Sequence, residues 1–148
     1  MQKIKSFFTK NKEYSVTIIR IGLALVLIWF GVSQLVQPDY FLGYLPSWAF
    51  PPADTMQGMH FRMMGIVPVE AVTLIALNGM LDLSLGILLL VGFYTRIAAL
   101  AAALHIFSIS LSLGYNDVAV RDYGLALAAL SLAFSGAGRL SFDERSKK

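Results

Sequence analysis

Residues 71–95 read AVTLIALNGMLDLSLGILLLVGFYT and contain one charged side chain, that of Asp82. A helix rises about 1.5 Å per residue, so about 20 apolar residues cross the roughly 30 Å hydrocarbon core of a bilayer. The stretch is therefore long enough and apolar enough to span a membrane. It also singles out Asp82, because a carboxylate near the bilayer centre costs about 2.5–3.5 kcal/mol on insertion scales.

Three further stretches of the chain share this apolar pattern. Hydrophobic residues make up 57% of the 148 residues and charged residues only 14%, whereas an ordinary soluble domain has about 25% charged residues. We predict one domain, an all-α membrane protein built as an antiparallel bundle of four transmembrane helices over residues 15–36, 66–91, 97–113 and 118–138. The composition excludes a soluble enzyme and a nucleic-acid-binding domain, and a chain without cysteine has no disulfide or thiolate metal site.

The basic residues are distributed unevenly between the two sides of this bundle. Ten of the 12 Lys and Arg residues lie at or before the start of the first helix, between the second and third helices, or after the fourth. Only Arg62 and Arg121 lie in the other two connections. Because loops rich in Lys and Arg stay in the cytoplasm, we predict a multi-pass cell-membrane protein with both termini cytoplasmic.

The segment between the first two helices, residues 37–68, is long and rich in aromatic residues. It contains Tyr40, Phe41, Tyr44, Trp48, Phe50 and Phe61. Aromatic rings are enriched at the depth of the lipid headgroups. We predict that this segment packs at the outer membrane interface, with a short amphipathic helix over residues 53–64.

Small and polar residues recur at helical spacing on each predicted span. These stripes are Gly22, Val26, Trp29 and Ser33; Asn78, Asp82 and Gly86; Ala101, His105, Ser108 and Ser112; and Gly124, Ala128, Ser131, Ser135 and Gly138. In lipid, small residues let helices approach closely and polar residues bond across them. We therefore predict that the stripes face a polar bundle interior and that Leu, Ile and Phe face lipid.

Asp82 and His105 are the candidate catalytic residues. Counting about 1.5 Å per residue, Asp82 lies roughly 14–16 Å and His105 roughly 12–14 Å from the cytoplasmic ends of two helices that a short turn joins. The two side chains thus lie at similar depth, where an imidazole and a carboxylate could accept and release a proton. The alternative is that Asp82, Asn78 and His105 only hydrogen-bond across helices.

Four residues are candidates for binding a substrate or a partner, namely Asn78, Trp29, Arg62 and Arg121. A quinone ring could stack on Trp29, although the residue could equally serve packing. Arg121 begins the fourth helix, where it could contact a substrate or reach the lipid headgroups. Arg62 could bind an anion or a partner, or it could simply be solvated. The two histidines lie on different elements and at different depths, so a bis-histidine haem site is excluded.

Several motifs, taken in order, resemble the DoxX family of small four-helix membrane proteins, which includes the DoxD-type subunits of thiosulfate:quinone oxidoreductases. The motifs are RIGLA (20–24), WFGVSQL (29–35), YLP (44–46), LDL (81–83), GILLLVGFYTR (86–96), RDYGL (121–125) and GAGRLSFD (136–143). Two positions depart from the family pattern. Asp82 stands where Glu is usual, and Gln34 stands where Lys is frequent.

The resemblance implies a membrane subunit linked to redox chemistry, which binds quinone or anchors an oxidoreductase. Quinone is the cofactor that it suggests, and a soluble or membrane oxidoreductase is the partner. Two alternatives stay open. One is a non-catalytic assembly or anchor protein, and the other is an oligomeric proton-coupled transporter of small solutes.

Overall fold

The structure, a computed structural model, describes residues 2–11, 14–45, 60–63 and 67–146. The chain forms helix α1 (Gln2–Asn11), helix α2 (Tyr14–Val36), a 3₁₀ helix (Pro38–Tyr44), strands β1 (His60–Met63) and β2 (Val67–Glu70), and helices α3 (Ala71–Val91), α4 (Thr95–Leu113), α5 (Asp117–Ser135) and α6 (Phe142–Arg145).

Four of these helices, α2 to α5, are long enough and apolar enough to cross a membrane. They contain 19 to 23 residues, and the mean hydropathy of their most apolar stretches is 1.3 to 2.2. The chain is therefore a multi-pass membrane protein. The four predicted spans agree with these helices except at their ends, and the cytoplasmic placement of both termini stays a prediction.

The predicted start of the second span at residue 66 is wrong, because the helix begins at Ala71. Residues 67–70 instead form β2, which pairs antiparallel with β1 so that Arg62 lies opposite Pro68. Proline lacks the N–H that a helix interior needs and favours an extended residue before it, and the flanking valines favour a strand. The helix predicted over 53–64 is likewise wrong for residues 60–63. Residues 53–59 and 64, and Trp48 and Phe50, lie outside the described residues.

The membrane helices are arranged in two closely packed pairs, α2 with α3 and α4 with α5. Glycines bring α2 against α3, because a Cβ built on Gly31 would lie 2.6 Å from the backbone nitrogen of Leu83 and 2.8 Å from the carbonyl oxygen of Gly79. The second pair instead packs through buried alanines. These are Ala98, Ala99, Ala102 and Ala103 on α4 and Ala119, Ala126 and Ala129 on α5.

The prediction of a polar interior behind small-residue stripes is wrong for most of the bundle. Gly22 and Gly124 face open space, with no atom within 4 Å of the position that a Cβ would occupy, and Ser131 and Ser135 are exposed. The core is made of leucine, isoleucine and alanine. Alanine supplies the close approach between α4 and α5, so the buried face of α5 differs from the glycine and serine face. The stripe Asn78, Asp82 and Gly86 lies as predicted, with Asp82 and Gly86 buried. His105, Ser108 and Ser112 of the α4 stripe also face inward, because they line a cavity between the two helix pairs.

One end of the bundle is closed by the chain that follows α5. We call it the terminal end, because α2 begins there and α5 ends there, and we call the opposite end, which carries the 3₁₀ helix, the loop end. The buried guanidinium of Arg20 donates to the carbonyls of Leu89 (2.6 Å), Leu90 (2.8 Å) and Leu140 (3.0 Å). The Thr17 hydroxyl donates to the carbonyl of Arg139 at 2.7 Å.

Asp143 completes this closure by capping α4 from a distant part of the chain. Its carboxylate accepts hydrogen bonds from the backbone N–H groups of Tyr94 (2.9 Å) and Thr95 (2.8 Å), and its own N–H donates to the carbonyl of Gly92 at 3.0 Å. The first N–H groups of a helix have no partner within it, and an anion there also interacts favourably with the helix dipole. The segment after α5 therefore ties three of the four membrane helices together at the terminal end.

Candidate functional site

A cavity of about 750 Å³ lies between the two helix pairs in the loop-end half of the bundle. Side chains from α2, α3, α4, α5 and the 3₁₀ helix line it. Leu27 and Ile106 belong both to its wall and to the hydrophobic core, so the cavity begins where the core ends. Its volume lies in the range of about 300–1,000 Å³ that is typical of sites for small organic ligands.

Four polar side chains meet at the floor of this cavity. The Asn78 amide donates to Gln34 Oε1 at 2.8 Å and lies 3.4 Å from Asp82 Oδ2, and the Gln34 amide donates to Asp82 Oδ2 at 3.2 Å. His105 approaches the other carboxylate oxygen, with 3.1 Å between Nε2 and Oδ1. The carboxylate thus receives amide donors on one oxygen and faces an imidazole with the other.

The contact between His105 and Asp82 is close but is not a complete hydrogen bond. The 3.1 Å separation lies within ion-pair distance, whereas the ring Nε2 has no partner in hydrogen-bond geometry among the described residues. The two groups therefore lie side by side without the alignment of a hydrogen bond. Side chains that exchange protons are often imperfectly aligned before a ligand is bound.

Helical periodicity explains why these residues share one place. Asn78 and Asp82 lie four residues apart, on the face of α3 that also carries Gly79 and Gly86. Gln34 lies three residues after Gly31 on the buried face of α2, and its Cβ lies 2.9 Å from where a Cβ of Gly79 would be. Glycine contacts therefore hold the two amides and the carboxylate within hydrogen-bonding distance.

The aromatic part of the cavity wall comes from α2 and the 3₁₀ helix, whereas α3, α4 and α5 contribute aliphatic and polar side chains. Trp29 and Phe30 pack edge to face with ring centroids 4.9 Å apart, and Phe30 contacts Phe41 of the 3₁₀ helix at 6.4 Å. Tyr40 and Tyr44 continue this aromatic surface. Trp29 is 61% exposed and Tyr40 is 68% exposed, whereas the Asp82 side chain at the floor is only 6% exposed. The cavity therefore has a buried polar floor and an open aromatic rim.

A second charged group lies at the rim. Arg121 donates from Nε to Asp122 Oδ1 at 3.0 Å, and its Nη2 lies 2.9 Å from the same oxygen. Its guanidinium carbon lies 5.6 Å from the centroid of the Phe30 ring, a cation–π contact. Both Arg121 and Asp122 line the cavity.

The structure brings five of the six predicted site residues to this one cavity. They are Asp82, His105, Asn78, Trp29 and Arg121. Arg62 lies in β1, and its side chain lies outside the described part of the chain. The proximity of Asp82 and His105 is confirmed, whereas the proposed roles of the site residues stay predictions.

Gln34 and Asp122 also belong to the site, although neither was predicted from the sequence. Gln34 was noted only for the charge it lacks, although its spacing from Gly31 places it on the packed face of α2. Asp122 follows Arg121 directly and is oriented toward it, which sequence spacing alone does not reveal.

The polar floor suits an uncharged polar group better than a metal ion. Asp82 and His105 supply two ligand atoms, fewer than the three or four protein ligands of ordinary zinc sites, and the described residues contain no cluster of three histidine or acidic side chains. The amide donors, the imidazole and the aromatic walls together fit a flat apolar ring with a polar atom directed at the floor.

Comparison with known proteins identifies the family of the chain. The sequence profile of the DoxX family matches residues 15–113, which include α2, α3, α4 and the floor of the cavity. No curated protein and no solved structure matches the chain. Since the matched region covers more than half of the chain, the protein belongs to the DoxX family.

Proposed function

We propose that the cavity binds the ring of a quinone and that the chain acts as the membrane subunit of a quinone-linked oxidoreductase. The observation that carries this proposal is the contact between Asp82 and His105 at the floor of an aromatic cavity, near the middle of two membrane helices. A quinone has a flat apolar ring for the aromatic walls and a carbonyl for the polar floor. Its isoprenoid tail can remain in lipid beside the exposed rim.

Reduction of a quinone to a quinol consumes electrons and protons in equal number. In this proposal two electrons come from a partner oxidoreductase. His105 and Asp82 pass one proton to the quinone oxygen that they face, and water at the open rim supplies the proton for the other oxygen. A buried carboxylate next to an imidazole can change its protonation without leaving an isolated charge in lipid. The amides of Gln34 and Asn78 hold the carboxylate in place while this happens.

Binding can be measured through Trp29, because the ring lies on the cavity wall and the chain has only two tryptophans. A Trp48→Phe variant leaves Trp29 as the sole indole. We expect a short-tailed quinone to quench its fluorescence in detergent micelles, and an alcohol with the same alkyl tail to leave it unchanged. Equal quenching by the alcohol, or none by the quinone, would refute the proposal.

The role of the polar floor is tested in the same assay. Asp82→Asn should weaken quinone binding about tenfold or more, because the charge that orients the imidazole is lost. Asp39→Asn, at an exposed acidic residue outside the cavity lining, is the matched control and should have no effect.

Proton handling makes a separate prediction about pH. The ratio of quinol to quinone affinity should change with pH in the unmodified protein and lose this dependence when Asp82→Asn is combined with His105→Gln. A pH dependence that survives both substitutions would assign the protons to other groups.

A further inference from the structure

The Arg121 side chain is 53% exposed, but its guanidinium is held by two contacts within the bundle. Two of its three guanidinium nitrogens lie on one oxygen of Asp122, and the Phe30 ring lies beside the guanidinium. The Asp122 side chain is only 14% exposed, so it is a fixed partner and not a mobile surface group. An arginine that served only to bind lipid headgroups would not need the contacts with Asp122 and Phe30.

The remaining nitrogen, Nη1, is left for another acceptor. A guanidinium has five N–H donors in a rigid plane, and two of its nitrogens are engaged by Asp122. No acceptor among the described residues takes a hydrogen bond from Nη1. Because Arg121 lines the cavity, a bound molecule can supply that acceptor.

The depth of Arg121 relative to the floor follows from the packing of α4 on α5. Phe107 contacts Tyr123 with ring centroids 5.6 Å apart, which sets the register of these antiparallel helices. Arg121 lies two residues before Tyr123, so it is level with residue 109 of α4, about 6 Å nearer the loop end than His105. Arg121 and His105 therefore lie on neighbouring helices whose axes are about 8–10 Å apart, and both side chains line the cavity.

We propose that the site recognises a ring that carries polar oxygens at both ends, and that Arg121 determines this specificity. One oxygen faces His105 and Asp82 at the floor, and the opposite oxygen accepts a hydrogen bond from Nη1 of Arg121. The flat faces of the ring lie against the aromatic walls. This inference rests on the proposed function. It adds that the ligand needs a second oxygen in the para position and that Arg121 binds this oxygen.

The test compares two bicyclic ligands of similar size, one with two oxygens in para positions and one with a single oxygen. A para-naphthoquinone has both carbonyls, and a tetralone has the same bicyclic skeleton with one. The full-length protein with Trp48→Phe should bind the quinone about tenfold to a hundredfold more tightly than the tetralone, which is the effect of one hydrogen bond to a charged group. Arg121→Met should remove that difference by weakening quinone binding alone.

Two further variants keep the result interpretable. Arg121→Lys retains the charge but cannot contact Asp122 and the ligand at once, so it should restore only part of the discrimination. Arg145→Met, at an exposed arginine in α6, should leave both affinities unchanged.

The outcomes separate this inference from the proposed function. If the unmodified protein binds no quinone, the proposed function fails and this inference fails with it. If the quinone binds but Arg121→Met weakens both ligands equally or neither, Arg121 shapes the rim or contacts lipid headgroups, and the inference alone is overturned.

Discussion

Gly31→Ala is the substitution that most directly tests the packing on which the site depends. The new methyl carbon would lie 2.6 Å from the backbone nitrogen of Leu83 and 2.8 Å from the carbonyl oxygen of Gly79. Favourable carbon contacts need about 3.5–4.0 Å, and backbone atoms cannot rotate aside, so α2 and α3 must separate by roughly 1 Å. Overpacking of this kind costs about 1–3 kcal/mol.

Gly22→Ala is the matched control, because it places the same methyl group on the same helix with no atom within 4 Å. Alanine favours a helix over glycine by up to about 1 kcal/mol at either position. The difference between the two variants therefore isolates the clash, and we expect Gly31→Ala to be the less stable by about 1–3 kcal/mol. Equilibrium unfolding in mixed detergent micelles measures this difference.

The same pair of variants reports on the site. Separation of α2 from α3 moves Gln34 away from Asp82, so Gly31→Ala should also weaken quinone binding while Gly22→Ala should not. Equal stability of the two variants would show that α2 and α3 are not in close contact at Gly31, and the geometry of the polar floor derived from that contact would fall with it.

Three further predictions concern the terminal end and the orientation of the chain. Asp143→Ala should destabilise the protein by about 0.5–2 kcal/mol, because α4 loses its cap. Asp143→Asn should cost less, because it keeps one acceptor oxygen. Equal stability of Asp143→Ala and the unmodified protein would mean that the cap is not formed. Arg20→Lys should cost about 1.5–3 kcal/mol, because the single ammonium nitrogen cannot occupy the positions of both Nη1 and Nη2. An unchanged unfolding curve would contradict this. In intact cells a membrane-impermeant maleimide should label Tyr115→Cys, whereas Ser146→Cys should react only after permeabilisation, and the opposite pattern would reverse the predicted topology.

The helices could be predicted because hydropathy alone identifies them. Each span is defined by some 20 residues, so a single misplaced residue does not change the result. The start of α3 could not be placed from hydropathy. Val67 and Val69 are as apolar as the residues of a membrane helix, and only Pro68 between them indicates a strand. Span ends depend on local backbone preferences, which an average over 20 residues conceals.

The inward face of each helix was harder to predict than the helix itself. Glycine, serine and alanine all permit close approach in lipid, so α5 offered two faces of small residues. The structure buries the alanine face of α5 and leaves Ser131 exposed. On α3 the inward face was unambiguous, because exposing the Asp82 carboxylate to lipid costs too much free energy. Asn78 lies on the same face, four residues before Asp82. The site was thus predictable where a charge fixed the orientation, and not where only size did.

The geometry of the floor bears on the two interpretations that the sequence left open, a proton-handling site and a set of hydrogen bonds between helices. If Asp82 and His105 served only to join helices, each polar atom would be expected to find its partner within the bundle, because a buried unpaired donor or acceptor costs about 1–3 kcal/mol. The amides of Gln34 and Asn78 meet this expectation on one carboxylate oxygen. His105 Nε2 does not, since it is buried beside the other oxygen without hydrogen-bond geometry. The position of His105 on the cavity lining, beside the buried Asp82 carboxylate, is therefore the observation on which the proposed binding role rests.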